Sequence, residues 1–235
     1  MRRKFLAGGM ALVATALVGC TKAAEDKAVD EKTSGTGTTP EPAPQPAAKP
    51  VPVPPPAPPP ALPMPDTVTV SLTTTKGEIV IKLEARKAPI TVGNFLKYLD
   101  SGKIDNSPFW RAADSGTSGF VQATMNGPTF PPIAHEPTSQ TGLSHTDGAI
   151  SMSRFDPGTA TADFVICVGD NTFMDAGREG SKDKLGYAAF GHVIKGMGVV
   201  RAILHGRIDT HTRKGGWAGQ MLAKPVKITS AKRIG

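Results

Sequence analysis

From Val68 onward, apolar and polar residues alternate in short runs. Val68, Val70 and Leu72 fall on one face of a strand, Lys76-Gly77 marks a turn, and Ile79, Ile81 and Leu83 resume the alternation. This pattern predicts a β-hairpin. After Ala88-Pro89-Ile90 the period changes. Val92, Phe95, Leu96 and Leu99 sit at the spacing of one helical face, with Thr91 placed to cap the helix and Gly102 to end it. Short β-type segments follow around 120–122, 149–153 and 164–168. A second amphipathic helix is predicted over 197–204, and Val226 with Ile228 predicts a last strand. Many short strands with two helices point to a closed or nearly closed β-barrel with the helices over its ends.

Upstream of Asp66 this patterning is absent. Residues 40–65 hold fourteen of the chain's twenty-two prolines. Proline fixes φ and lacks an N–H, so this stretch predicts a semi-rigid polyproline spacer rather than a helix or a central strand. Residues 23–39 are polar and of mixed charge. At the start, Arg2, Arg3 and Lys4 precede an apolar run from Phe5 to Val18 that is short for a membrane span but suits a signal peptide. Arg2-Arg3 is equally compatible with twin-arginine export and with a generic basic leader. The run ends in Leu17-Val18-Gly19-Cys20, which resembles the lipobox of bacterial lipoproteins. That resemblance implies lipidation of Cys20, a membrane anchor and export. With Thr21 rather than Asp after the cysteine, it implies the periplasmic face of the outer membrane in a two-membrane cell. The expected organisation is therefore a signal peptide over 1–20, a tether over 21–65 and one folded domain over 66–235.

Composition narrows the chemistry. The net charge of +7 falls to +7 − 3 = +4 once Arg2, Arg3 and Lys4 are removed with the leader. No run of Lys and Arg with interleaved aromatics is present, so nucleic acid is not an expected partner. Of the two cysteines, Cys20 belongs to the lipobox, and Cys167 lies in an apolar run as a buried small residue, not a nucleophile. The five histidines show no metal-ligand spacing, and neither a metal nor a cofactor is expected.

A series of motifs then runs in order from Val68 to Ile234. Residues 88–95 read Ala-Pro-Ile-Thr-Val-Gly-Asn-Phe; Phe109-Trp110-Arg111 and Gly119-Phe120-Val121-Gln122 follow. Residues 148–154 read Gly-Ala-Ile-Ser-Met-Ser-Arg, 161–166 Thr-Ala-Asp-Phe-Val-Ile, and 186–193 Gly-Tyr-Ala-Ala-Phe-Gly-His-Val. Together these resemble the cyclophilin-type peptidyl-prolyl cis–trans isomerases, whose corresponding segments are Phe-His-Arg, Gly-Phe-Met-x-Gln-Gly-Gly, Gly-Thr-Ile-Ala-Met-Ala-Arg and Thr-Ser-Gln-Phe-Phe-Ile. The resemblance implies a mainly β fold, a closed eight-stranded antiparallel barrel with two capping α-helices. It also implies isomerisation of X-Pro bonds without metal or cofactor, with proline-containing segments of exported proteins as partners.

Residue by residue, the resemblance makes Arg111 catalytic, a permanently charged donor aimed at the imide nitrogen as it becomes pyramidal. Gln122 is implied to hold substrate backbone. Phe120, Val121, Met174 and Val165 are implied to line the proline pocket, with Val165 in place of an aromatic residue. Ser153, Arg154, Asp163, Phe173 and Tyr187 complete the implied substrate-binding set. Here Ser153 replaces Ala, Arg154 an Asn that contacts substrate, Asp163 a Gln and Tyr187 a His. Trp110 replaces the motif histidine, and Ala123-Thr124 replaces Gly-Gly. These departures leave a non-catalytic proline-binding or chaperone module as the alternative to an enzyme.

Overall fold

The computed structural model describes residues 65–211 and 217–234. The expected signal peptide, Cys20 and the tether lie outside the described residues. Eight strands close into one antiparallel barrel: β1 Val68–Thr74, β2 Gly77–Leu83, β3 Pro108–Asp114, β4 Gly119–Thr124, β5 Ala149–Met152, β6 Asp163–Val168, β7 Ala188–Lys195 and β8 Met221–Arg233. Their order around the barrel is β1-β2-β7-β5-β6-β4-β3-β8. Closure pairs every strand edge and so removes the template for edge-to-edge aggregation. The predicted hairpin is β1–β2, in register from Val68↔Leu83 to Thr74↔Gly77.

Among the described residues three α-helices accompany the strands: α1 Pro89–Asp100, the single turn α2 Thr138–Thr141, and α3 Met197–Leu204. The amphipathic stripe of α1 buries Val92, Phe95, Leu96 and Leu99, as the spacing predicts. Phe95 meets Phe164 edge-on at 5.6 Å and tilts against Phe190 at 5.4 Å, while Phe109 meets Phe164 at 5.9 Å. These rings occupy the barrel interior with Leu72, Ile79, Ile81, Ile150 and Ile166. Val200, Ile203 and Leu204 of α3 are buried, and that helix packs on β2, β3, β4 and β6.

The start of α1 differs from the expectation. Its N-cap is Ala88, which offers no side-chain acceptor, and Thr91 lies inside the first turn. The free N–H groups of that turn are met from a distance. Buried Glu136 accepts from Ile90 N at 3.1 Å, from Thr91 N at 2.7 Å and from the Thr91 hydroxyl at 2.6 Å. A carboxylate also complements the positive end of the helix dipole. At the other end, Gly102 adopts φ +70°, and the Gly102 and Lys103 N–H groups donate to Leu99 and Tyr98 carbonyls at 3.0 Å each. This is a Schellman closure, which needs the left-handed conformation glycine tolerates best.

Candidate active site

The site is built on the outer face of β3, β4 and β6. Along β6, Phe164 and Ile166 point into the barrel core, so Val165 and Cys167 fall on the opposite face. There they join Ala149 and Met174 in a second apolar cluster, with Phe120 and Tyr187 packed against it. Cys167 is fully buried in this layer, and desolvation pushes its thiol up to about 12. It is an inert apolar filler.

On β3 the alternation is broken on purpose. The pairing with β4 runs Phe109↔Ala123 and then Arg111↔Gln122, so Trp110 is an extra residue and the register shifts there. Phe109 and Ala112 are buried in the core, while both Trp110 and Arg111 between them face outward. Strict alternation would have sent Arg111 into the barrel; the bulge re-aims it.

Over the apolar cluster opens a cavity of about 420 Å³. Its walls include Trp110, Arg111, Phe120, Gln122, Ser153, Arg154, Asp163, Val165, Phe173, Met174 and Tyr187. Of the eleven residues that the resemblance marks for catalysis and substrate binding, the fold gathers ten around one cavity. Val121 is the exception. It is fully buried within the barrel core, because it alternates with Phe120 and Gln122 along β4. Gly-Phe-Val-Gln is one residue shorter than Gly-Phe-Met-x-Gln, so a residue-by-residue transfer counted from the glycine lands one position off.

Arg111 is held on all sides. Its Nε–H donates to Gln220 Oε1 at 2.8 Å, and Nη1 donates to Gln122 Oε1 at 2.8 Å. The guanidinium lies 4.9 Å from the Phe120 ring centre and 5.7 Å from that of Trp217. Burial lowers its pKa from the ordinary value, with Tyr187 opposing, yet an arginine stays cationic at neutral pH. No described residue accepts from Nη2, so those donors remain for a guest in the cavity. Gln122 in turn donates to Asp163 Oδ1 at 3.4 Å. Asp163 also accepts from the Thr124 hydroxyl, whose oxygen takes the Trp110 indole N–H at 2.8 Å.

Arg154 lines the cavity but has no donor to spare. It donates to Gly186 O from Nε at 2.9 Å and from Nη2 at 2.5 Å. It also donates to Phe155 O at 3.0 Å and, bidentately, to Asp183 at 2.8 and 2.9 Å. All five N–H groups are engaged, and these hydrogen bonds hold the Asp183 carboxyl far below its usual range. The expected substrate contact through this guanidinium is therefore corrected to a clamp on residues 183–186. Gly186 suits that clamp because its φ is +65° and a Cβ there would lie 2.5 Å from Met174 O.

Trp217 and Gln220 carried no signal in the sequence. They meet Arg111 across 106 and 109 positions respectively, a distance visible only in the closed barrel. His145 is a third addition. Its Nδ1 lies 2.5 Å from Asp175 Oδ1 and its Nε2 lies 2.9 Å from Ser151 Oγ. His145 and Ser151 are fully buried, so this order of Ser, His and Asp ties β5 to the segments around residues 145 and 175 and exposes no nucleophile.

Burial lowers the His145 pKa below its ordinary value of 6.5, against the pull of Asp175, and burial lowers that of His135 likewise. The unfolded chain therefore takes these protons first as pH falls. The stability they confer is complete above about pH 6.5 and declines below it, until the folded imidazoles are protonated too. Thermal melts are expected to show a lower Tm near pH 5.5 than near pH 7.5. In His145→Gln that difference shrinks; an unchanged slope would exclude His145 as a source.

Residues 69–233 match the model of the family described as cyclophilin type peptidyl-prolyl cis-trans isomerase/CLD. Peptidyl-prolyl cis-trans isomerase A of Dickeya dadantii is 36% identical over 169 residues, which is 70% of this chain and 84% of that protein. Peptidyl-prolyl cis-trans isomerase cyp18 of Streptomyces antibioticus is 36% identical over 171 residues, covering 71% of this chain and 99% of the relative. Among solved structures, a Cryptosporidium parvum cyclophilin type isomerase superposes with a TM-score of 0.56 at 17% identity, over 72% of this chain and 98% of its own. That likeness concerns the fold.

Proposed function

The chain belongs to the cyclophilin-type peptidyl-prolyl cis–trans isomerases and is an enzyme of that kind; from this premise we propose that it turns over X-Pro bonds in exported polypeptides from a lipid-anchored position on the cell envelope. The reaction asks little covalent chemistry of the protein. An X-Pro amide rotates over a barrier of about 20 kcal/mol, and twisting the C–N bond breaks its resonance and makes the nitrogen pyramidal and basic. A catalyst stabilises the twisted state more than either planar one.

The observation that carries this reading is the guanidinium of Arg111 at the wall of an apolar cavity. Phe120, Val165 and Met174 receive the proline ring. Gln122 and Gln220 occupy one Nη1 donor and the Nε donor of Arg111, leaving the Nη2 edge to meet the prolyl carbonyl and the pyramidal nitrogen. The orientation is set before the substrate arrives, so no reorganisation is required as the bond twists. Val165 removes aromatic area from the ring pocket, yet the floor remains apolar and closed.

The envelope part of the reading rests on the sequence of residues 1–65: the basic leader, the lipobox-like Leu17-Val18-Gly19-Cys20 and the proline-rich spacer. Among the described residues no helix is long and apolar enough to cross a membrane. Acyl chains on Cys20 would supply the attachment, since one chain is marginal and two or more hold stably. The full chain expressed in a two-membrane bacterium is expected in the membrane fraction, with mass spectrometry finding acylated Cys20 at the mature N-terminus. Cys20→Ser is expected to leave the isomerase soluble and to slow recovery of proline-dependent folding among exported proteins. A Cys20→Ser protein that fractionates with the wild type, or an unmodified wild-type cysteine, would remove the anchor from the proposal.

A further inference from the structure

The proline ring pocket explains Val165, Phe120 and Met174, but not Asp163. This carboxylate lies two residues before Val165 on β6, and both line the same cavity. The spacing places it roughly 7 Å along the strand from the ring pocket. That is the reach of one or two residues of extended peptide. Only Oδ1 is occupied, by the Thr124 hydroxyl and weakly by Gln122 Nε2 at 3.4 Å. Oδ2 has no partner among the described residues, and no described cation pairs with Asp163.

The neighbouring charges do not cancel it. Arg154 is neutralised by its bidentate pairing with Asp183. Arg111 is kept apart by the Gln122 amide, which accepts from the guanidinium on one side and donates to Asp163 on the other. Ser153, whose backbone N–H donates to the Asp163 carbonyl at 2.9 Å, adjoins this carboxylate, and Thr159, Thr161 and the 85% exposed ring of Phe155 line the same cavity without adding charge. A lysine or arginine stem can lie along that ring while its charged head reaches the open carboxylate oxygen.

We propose that Asp163 is a specificity determinant that selects X-Pro segments bearing a lysine or arginine one or two residues from the proline. The inference rests on the cavity being the substrate cleft, as argued above. A carboxylate beside a bound peptide favours a cation and disfavours an anion, and partial exposure leaves the effect modest and open to salt screening.

The test uses the purified full chain and a proline tetrapeptide series in which one neighbouring residue is Lys, Ala or Glu. Catalysis is followed by isomerisation kinetics and binding by tryptophan fluorescence, because both tryptophans of the chain, Trp110 and Trp217, line the cavity. The Lys peptide is expected to exceed the Glu peptide in kcat/KM by roughly tenfold at low ionic strength, falling to about twofold near 0.5 M salt. Asp163→Asn, which keeps the shape and removes the charge, is expected to bring the Lys-to-Glu ratio close to one in both readouts, whatever its effect on absolute rate. Equal turnover of the three peptides by the wild type overturns the proposal and leaves the isomerase site intact. A ratio that persists in Asp163→Asn assigns the preference to another group and overturns it too. If no peptide is turned over, the reading of the cavity as substrate cleft fails first, and the proposal goes with it.

Discussion

Arg111→Ala is expected to lower kcat/KM on X-Pro peptides by about a hundredfold to a thousandfold, the scale on which loss of one preorganised transition-state donor is felt. The loss should fall mainly on kcat. The apolar floor of Phe120, Val165 and Met174 is untouched, and it binds planar and twisted proline alike. Arg111→Lys is expected to recover little of the loss. The present geometry uses Nε toward Gln220 and Nη1 toward Gln122 while Nη2 has no acceptor among the described residues, and a single ammonium cannot reproduce that fork. Coupled isomerisation kinetics on both variants, with thermal melts to confirm an intact barrel, make the measurement. A variant within a few-fold of wild type would take Arg111 out of the chemistry.

The second large effect concerns stability and lies away from the cavity. Glu136→Ala removes one buried carboxylate that accepts three hydrogen bonds from the first turn of α1. It strands two backbone N–H groups and a hydroxyl in a helix whose own N-cap, Ala88, offers nothing. Charged hydrogen bonds and an unmet buried donor together put the cost at about 3 kcal/mol. For a domain of this size that corresponds to a Tm lower by about 6–12 °C. Glu136→Gln keeps one acceptor oxygen but turns an amide N–H₂ toward donors, so an intermediate loss is expected. Differential scanning calorimetry of the three proteins distinguishes these values. Equal melting temperatures would mean that water caps the helix equally well.

These two residues mark the two ways in which the fold supports its site. Helix α1 carries Phe95 into contact with Phe164 and Phe190 at the centre of the barrel. Phe164 sits between Asp163 and Val165, so the ring packing inside fixes the strand whose outer face lines the cavity. Stability and function are thus linked through strand β6, with the inward residues setting where the outward ones stand.

How far the residues alone foretold this can be judged at particular positions. The β1–β2 hairpin, the buried stripe of α1, the glycine closure at Gly102 and the second helix over 197–204 follow from local periodicity, because the interactions that define them lie within a few residues. The family resemblance, carried by ordered motifs, foretold the closed barrel and gathered most of the cavity lining. Features that depend on long-range pairing were not legible. The bulge at Trp110, which turns Arg111 outward, exists only because β4 and β8 flank β3 with a shifted register. Glu136 reaches Thr91 across 45 positions, and Gln220 reaches Arg111 across 109. Val121 faces the core because side chains alternate along a paired strand, and Arg154 is spent because Asp183 and Gly186 fold back onto it. Local sequence carries the short-range part of the free energy, the turns and amphipathic faces. Which side chain faces the cavity, and which donor is left free there, is set by contacts between segments that the chain brings together on closing the barrel.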